Sequence, residues 1–512
     1  MSTPSTAHGH VFPDRSPDRV RAFFVLTLAV SALALVLGGA TSQGSLSDAL
    51  VELASLPLLA VAVMRLATQA EVRRATFPLV LLALMLALPL LQLIPLPPFA
   101  WTHLPGRATV VEVFTLIDEP LPWWPVSMAP SATLASFLSV LPAAAVFLAV
   151  LTTDVRDRRA MTLGLVGFAA VTVVVGLAQL AQGADSPLRF YTVTNFDSSV
   201  GFFANRNHYA ALLCAVLPLA LAWTIHSAGE TGRERRMLSL VFGSISVLLL
   251  LGAALSRSRA GILLATLALG SSILLLDFGG ARESRRSVIR LMMVIAAVAV
   301  VMIVRLCTGA HILAMAGLLS RFASSGIDDY RLLIWSITRE AIWSVFPFGS
   351  GFGTFQPLYR LFDRPEALTN AFVNRAHNDW LELLLEAGLP ALLLMIGFGV
   401  WVARSAWRIW RGRPVDTPGL DDKLMRAATL SLAILLVHSV VEYPLRTIAG
   451  QVVFAFLCAL LVAPVCRMER PPARRRRRSS RGARPAPSDP RPAPRPVDPA
   501  PPRDRRSLNW TD

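Results

Sequence analysis

Side chains able to do chemistry gather in one interval of this 512-residue chain, from about Cys307 to Gly388. Its segments DDYRLLIWSITREAIW, FPFGSGFGTF and NRAHNDWLELLLEAGLP carry Arg331, Arg339, Arg375, His377, Asn378, Asp379 and Glu382. Guanidinium groups grip phosphate oxygens with paired hydrogen bonds, and an imidazole takes up a proton near neutral pH. Three further polar points interrupt apolar sequence elsewhere. NFDSSVGFFANRNHYA brings Arg206 and His208 to the start of an apolar run, and the corner Ser256–Arg259 reads SRSR. HSVVEYPLRT sets His438 and Glu442 one helical turn apart, with Arg446 beside them. An arginine at membrane depth costs roughly 2.5–3.5 kcal/mol, so each needs a reason. For Arg257 and Arg259 two readings stand: snorkelling to headgroups, or a phosphate clamp. For His438 and Glu442 the economical reading is a mutual pair that locks a helix, with Arg446 a possible further phosphate contact.

The spacing positions several of these groups. Asp328 or Asp329 can cap a helix from Tyr330, with Leu332, Trp335, Arg339 and Ile342 on one face and Arg331, Ile334 and Thr338 on another. Trp335 and Trp343 suit such a helix to a membrane surface. Gly349, Gly351 and Gly353 fit a tight turn with close backbone approach better than a nucleotide loop, because no strand–helix–strand unit surrounds them. HNDWLELLLEAGLP predicts a helix with Leu381, Leu384 and Leu385 buried, stopped by Gly388 and Pro390. His377 falls in its first turn, where the positive helix end favours the neutral imidazole.

The elements that must hold these groups are membrane spans. Hydrophobic residues make up 54% of the chain and mean hydropathy is +0.54, outside the soluble range. Apolar windows predict about twelve transmembrane helices, near 22–40, 48–67, 76–95, 132–152, 160–180, 207–226, 236–255, 260–277, 287–306, 388–404, 427–443 and 447–466. Basic clusters at Arg19 and Arg21, Arg73 and Arg74, Arg156 to Arg159, Arg233 to Arg236, Arg282 to Arg286, Arg408 to Lys423 and Arg474 to Arg478 then all fall on one face. The positive-inside rule makes that face cytoplasmic, with both termini there. The expected organisation is a cytoplasmic N-terminus over 1–21, spans one to nine over 22–306 and a large extracytoplasmic loop with short surface helices over 307–387. Spans ten to twelve over 388–466 and a basic, disordered Pro- and Arg-rich cytoplasmic tail over 467–512 complete it.

The net charge of +16 lies largely in cytoplasmic loops and in the tail, which points to topology and anionic lipid, not nucleic acid. Cys214, Cys307, Cys458 and Cys466 form no metal or disulfide pattern, and no cofactor or metal is expected.

The ordered set GFFANRNHYAALL (201–213), SRSRAG (256–261), RLLIWSITREAI with PFGSGFGTF (331–355), AHNDWLELLLEAGLP (376–390) and HSVVEYPLRT (438–447) resembles the O-antigen ligase and polysaccharide polymerase superfamily. The resemblance implies an all-α polytopic fold similar to lipid-dependent, GT-C-like glycosyltransferases. It implies a metal-independent, inverting enzyme that takes a glycan from an undecaprenyl-pyrophosphate donor in the bacterial inner membrane. The acceptor would be a glycan, lipid A–core or a protein. The family's corner arginine falls on Arg257, with Arg259 its ambiguous neighbour; the arginine of its loop helix falls on Arg331, and its loop histidine on His377. Those three are the catalytic candidates, and Arg259, Arg206, Asn378 and Arg446 the substrate-binding ones. The rival reading is a transporter or flippase, which would place ionisable groups and broken helices near the midplane. Here they cluster toward one face.

Overall fold

The computed structural model describes residues 17–41, 44–69, 75–229, 232–276, 293, 326–364, 373–411 and 419–462. The expected span near 287–306 and the tail over 467–512 lie outside them. The chain folds as a mostly helical, polytopic membrane protein. In order come α1 (Pro17–Leu37), α2 (Leu46–Ala67), α3 (Thr76–Gln92), β1 (Pro95–Leu96), α4 (Pro98–Trp101), α5 (Ala108–Leu116), β2 (Trp124–Pro125), α6 (Pro130–Thr152) and α7 (Val155–Gln182). Then follow α8 (Arg206–Ala228), α9 (Arg233–Leu255), α10 (Arg259–Ser271), α11 (Gly326–Val345), α12 (Phe355–Tyr359), α13 (Asp379–Arg411), α14 (Leu420–His438) and α15 (Ile448–Leu460). Among the described residues seven helices are long and apolar enough to cross a membrane: α1, α2, α6, α7, α8, α9 and α13. Helices α3, α15 and the Arg259–Leu275 stretch are apolar but shorter, and α14 carries Asp421, Asp422, Lys423 and Arg426 in its first turns.

Helix α8 is the axis of the bundle. Side chains from Tyr209 to Ala222 are buried on every face, as a sequence apolar all round requires. Helices α9, α10 and α14 pack around it. The outer helices keep large apolar side chains exposed, among them Leu53, Val174, Leu263 and Leu393, as a lipid-facing surface would.

Two buried arginines tie ends together. Arg158, on the first turn of α7, donates to Val150 O (3.0 Å) and Leu151 O (3.3 Å) at the end of α6. It also donates to Ala459 O (3.4 Å) and Val462 O (2.6 Å) at the end of α15, so that one guanidinium ties the last carbonyls of both helices together. Beside it Arg159 clamps Asp421 with two bonds of 2.6 and 2.7 Å. At the opposite end of the bundle Arg107 bonds Pro105 O (3.0 Å), Val126 O and Gly349 O (3.2 Å), fastening the 96–131 segment to the glycine loop.

The glycine loop lies against the break between the two halves of α13. The helix that begins at Asp379 ends at Gly388, as expected: Gly388 is non-helical at φ 54° and ψ −133°, and a second helix runs on from it to Arg411, the two together forming α13. Pro390 has no N–H for Glu386 O, so that carbonyl takes bonds from Gln92 Nε2 and Gly351 N, both 2.9 Å. Leu389 N turns instead to Pro347 O (2.8 Å), and Leu385 O accepts from Ser350 N and Oγ (both 3.1 Å). The loop supplies these partners because it lies against the helix. A Cβ on Gly388 would stand 2.1 Å from Pro347 O. Gly388→Ala is therefore expected to destabilise the protein by at least ~1 kcal/mol. Thermal unfolding in detergent checks this; an unchanged midpoint would show that the kink does not depend on the close approach.

Candidate functional site

The site is assembled at the end of the bundle where α8, α10, α13 and α15 begin. Its centre is the turn between α14 and α15. That turn is tight, with Glu442 N bonded to His438 O (2.9 Å), and Thr447 caps α15 through Gly450 N (3.1 Å). It leaves the Glu442 side chain with no exposure. A buried carboxylate must be paired and hydrogen-bonded to stay charged. Glu442 is served by three elements. Arg331, early in α11, ion-pairs with Oε1; Asn207, in the first turn of α8, donates to the same oxygen at 2.6 Å. His377 Nδ1 lies 3.3 Å from Oε2. Burial alone would push the carboxyl up, but the hydrogen bond and charge of His377 and the charge of Arg331 outweigh it and hold the group at about 2.

A carboxylate can only accept, so in the neutral ring of His377 the proton sits on Nδ1 and Nε2 is left as an acceptor. His377 does not stand in the first turn of α13. It precedes the helix by two residues, at φ 51°, while Asn378 caps α13 by accepting from Trp380 N (3.0 Å) and Leu381 N (3.1 Å). A positive φ on a non-glycine residue is uncommon and costs energy that surrounding contacts must supply. They are visible: Ala376 O accepts from Trp335 Nε1 (3.1 Å) and Ala376 N donates to Glu382 Oε2 (3.0 Å). Tyr443 sets its ring edge-on between two imidazoles, 5.1 Å from His377 and 4.7 Å from His208.

The expected His438–Glu442 pair is not the arrangement found. His438 is fully buried and neither of its ring nitrogens has a hydrogen-bond partner, while Glu442 turns to Arg331, Asn207 and His377.

The SRSR corner joins the site through α8. Arg257, half exposed and at φ 54°, donates to Asp197 O (3.0 Å) and lies 3.6 Å from its carboxylate. Arg206 approaches the other oxygen of Asp197, also at 3.6 Å. Neighbouring residues Arg206 and Asn207 thus link the corner to Glu442. Arg259 is one residue past the Ser258 cap and begins α10.

Arg446 belongs to a second, buried cluster. Asp379, Glu382 and Glu386 form an acidic stripe on α13, and the guanidinium lies 3.6, 3.5 and 2.6 Å from them. Arg375 adds a bond to Glu382 (2.8 Å), and Gly353 N one to Glu386 Oε1 (2.8 Å). Burial would lower the pKa of Arg446, but Glu382, Glu386 and Asp379 more than offset this and raise it. The fully buried face of this turn of α13 is therefore Glu382, Leu385 and Glu386, with Leu381 and Leu384 only partly covered.

Arg257, Arg206, Arg331 and His377 are brought into one chain of contacts; Asn378 and Arg446 instead secure the start of α13. Asn207, Asp197, Tyr443 and the role of Glu442 as common partner were missed in the sequence. The one available signal was a lone glutamate in a short turn between apolar helices. Among the described residues no group of three His, Cys, Asp or Glu side chains is placed to hold a metal ion.

These features define a helical membrane protein with a buried carboxylate hub that gathers arginines and a histidine at one end of the bundle. Residues 244–396 match the family model described as O-antigen ligase. The match supports a function of the O-antigen ligase or polymerase type. It includes Arg257, Arg331 and His377 and ends within α13, leaving Glu442, Asn207 and Asp197 outside. No curated protein matches the chain.

The position of Glu442 predicts a pH effect. Its folded pKa lies below the ordinary 4.5, so its ionisation stabilises the fold fully above 4.5 and that contribution is lost as pH falls through about 2. Thermal unfolding in detergent should show the midpoint of the wild type falling across that window more steeply than that of Glu442→Gln. Parallel profiles would mean that Glu442 is not held ionised.

Proposed function

We propose that this protein is a glycosyltransferase of the bacterial cytoplasmic membrane. It moves a glycan from an undecaprenyl-pyrophosphate donor to an acceptor at the outer face, as an O-antigen ligase or polysaccharide polymerase. The acceptor is a growing glycan, lipid A–core or a protein. The observation that carries the reading is the sharing of Glu442 by Arg331 and His377. It sets a phosphate-binding group and a proton acceptor side by side.

The acceptor hydroxyl attacks the anomeric carbon, its proton passes to Nε2 of His377, and the bond to the pyrophosphate oxygen breaks with the electron pair leaving on that oxygen. Attack opposite the leaving group inverts the centre. The leaving diphosphate needs positive charge more than a proton, and Arg331 and Arg257 supply it. Arg331 spends part of its five-donor fork on Glu442 and keeps the rest for phosphate. Arg206 and Arg259 flank the corner, while Asn378 and Arg446 fix the helix start behind His377. The chemistry is metal-independent.

Orientation follows from the basic residues at helix ends. Arg65, Arg156, Arg233, Arg235, Arg236, Arg408 and Arg411 lie at the end opposite the site, which supports, by the positive-inside rule, a cytoplasmic location for that end and for both termini. The roughly twelve spans, the outer loop over 307–387 and a basic tail resting on anionic lipid complete the expected arrangement. A transporter would carry its ionisable groups near the midplane, whereas these sit at helix starts and in end turns.

In proteoliposomes supplied with a defined undecaprenyl-pyrophosphate glycan, His377→Ala should lower transfer by about 10²–10⁴-fold. Arg331→Lys, which keeps the charge beside Glu442, should lower it by about 10²-fold or more. Arg257→Ala and Arg259→Ala should differ, with the larger loss in Arg257→Ala. Wild-type turnover in His377→Ala or Arg331→Lys would remove that residue from the mechanism; equal, small losses at the corner would reduce both arginines to anchors.

A further inference from the structure

An apolar cavity of ≈ 290 Å³ runs between α3, α6, α13, α14 and α15. Its walls reach from Pro78, Trp401 and Cys458 to Asp379, Ser439 and Gln451 at the site end of the bundle. Beyond the break at Gly388, the helix from Leu389 to Trp401 extends over roughly 18 Å at ~1.5 Å per residue, more than half of a hydrocarbon core. The break separates this stretch from Asp379 at the head of the cavity. The shape is that of a shaft for a linear apolar chain.

The site end of the shaft is not apolar. Asp379 Oδ1 and Gln451 Oε1 are both buried there without a hydrogen-bond partner. The other oxygen of Asp379 is already taken by Ser439 Oγ (2.7 Å) and Leu445 N (3.3 Å). Arg446 Nε stays 3.6 Å from Oδ1, beyond a hydrogen bond. Two orphaned acceptors at the head of an apolar shaft ask for a ligand that donates hydrogen bonds. Charge narrows the choice. The cluster behind Asp379 sets three carboxyl groups (Asp379, Glu382, Glu386) against two guanidinium groups (Arg375, Arg446), one cation short of pairing all three in ionised form. A primary ammonium supplies both the donors and the missing charge. A trimethylammonium head carries the charge without N–H donors. An isoprenoid diphosphate brings more negative charge to the carboxylates.

We propose that this shaft binds an aminophospholipid of the leaflet on the site's side. An acyl chain lies in the shaft and the ammonium donates to Asp379 Oδ1 and Gln451 Oε1. The bound head braces α13 against α15 at the residue two places beyond His377. The inference does not rest on the transferase reading.

The test uses the full chain, purified in detergent, stripped of lipid and titrated with phosphatidylethanolamine, phosphatidylcholine and phosphatidylglycerol of identical chains, with native mass spectrometry as the readout. Phosphatidylethanolamine should be retained about tenfold better than either other lipid, the equivalent of one charge-assisted hydrogen bond. Gln451→Leu, which leaves the carboxylate cluster intact, should cost about tenfold in its retention. Ala455→Phe, which fills the shaft wall, should abolish it. Unfolding midpoints close to the wild type establish that both variants are folded. Equal retention of the three lipids, or unchanged retention in either variant, overturns the proposal. So does displacement of phosphatidylethanolamine by a polyprenyl phosphate that binds more tightly, which would give the shaft to an isoprenoid chain.

Discussion

A carboxylate without exposure at the end of a membrane bundle is the constraint from which the rest of the site follows. Desolvating Glu442 costs several kcal/mol, and only bonds from cations and donors make the charge tolerable. Removing one partner of such a group typically costs about 3–5 kcal/mol, because the other is left buried and unpaired. The chain therefore has to bring Arg331, Asn207 and His377 to one point from three distant elements. Once they meet there, the tautomer of His377 is set and part of the Arg331 fork is fixed. The same bonds that make the fold self-consistent leave an acceptor nitrogen and guanidinium donors together.

Around this hub the architecture divides its work. Helix α8 is buried along most of its length and presents only its first turn, with Arg206 and Asn207, to the site. Helix α13 does two things with one sequence: before the break its acids bond Arg446 and Arg375, and beyond it a second helix runs on as a candidate membrane span. The glycine loop makes that change of character possible by accepting and donating the backbone bonds that Pro390 and Gly388 displace. At the far end Arg158 performs the corresponding service for α6 and α15. In both places buried polar groups bond helix backbone where a helix ends or breaks.

Much of this was legible from residue types. Apolar windows marked the helices, because a single stretch in lipid has no other way to satisfy its backbone. Arg331, His377 and Arg257 stood out as charges where charge is expensive. The glycines at 349, 351 and 353 read as a close backbone approach, and all three have positive φ against neighbouring elements. The partners were not legible. Glu442 lies 111 residues from Arg331 and 235 from Asn207, and local spacing favoured His438, which faces no hydrogen-bond partner at all. The break at Gly388 was legible from its glycine and proline; the loop some forty residues earlier that takes up backbone groups freed there was not. The stripe of Asp379, Glu382 and Glu386 was hidden by the leucines between them.

The central claim is that Glu442 makes His377 and Arg331 one unit. A double-mutant cycle on glycan transfer tests it most directly, with the reconstituted wild type, Glu442→Gln, His377→Gln and the double variant assayed under saturating donor. The account predicts a large loss in each single variant and a double variant little worse than His377→Gln alone. Losses that multiply in full, or undiminished turnover in Glu442→Gln, would contradict it.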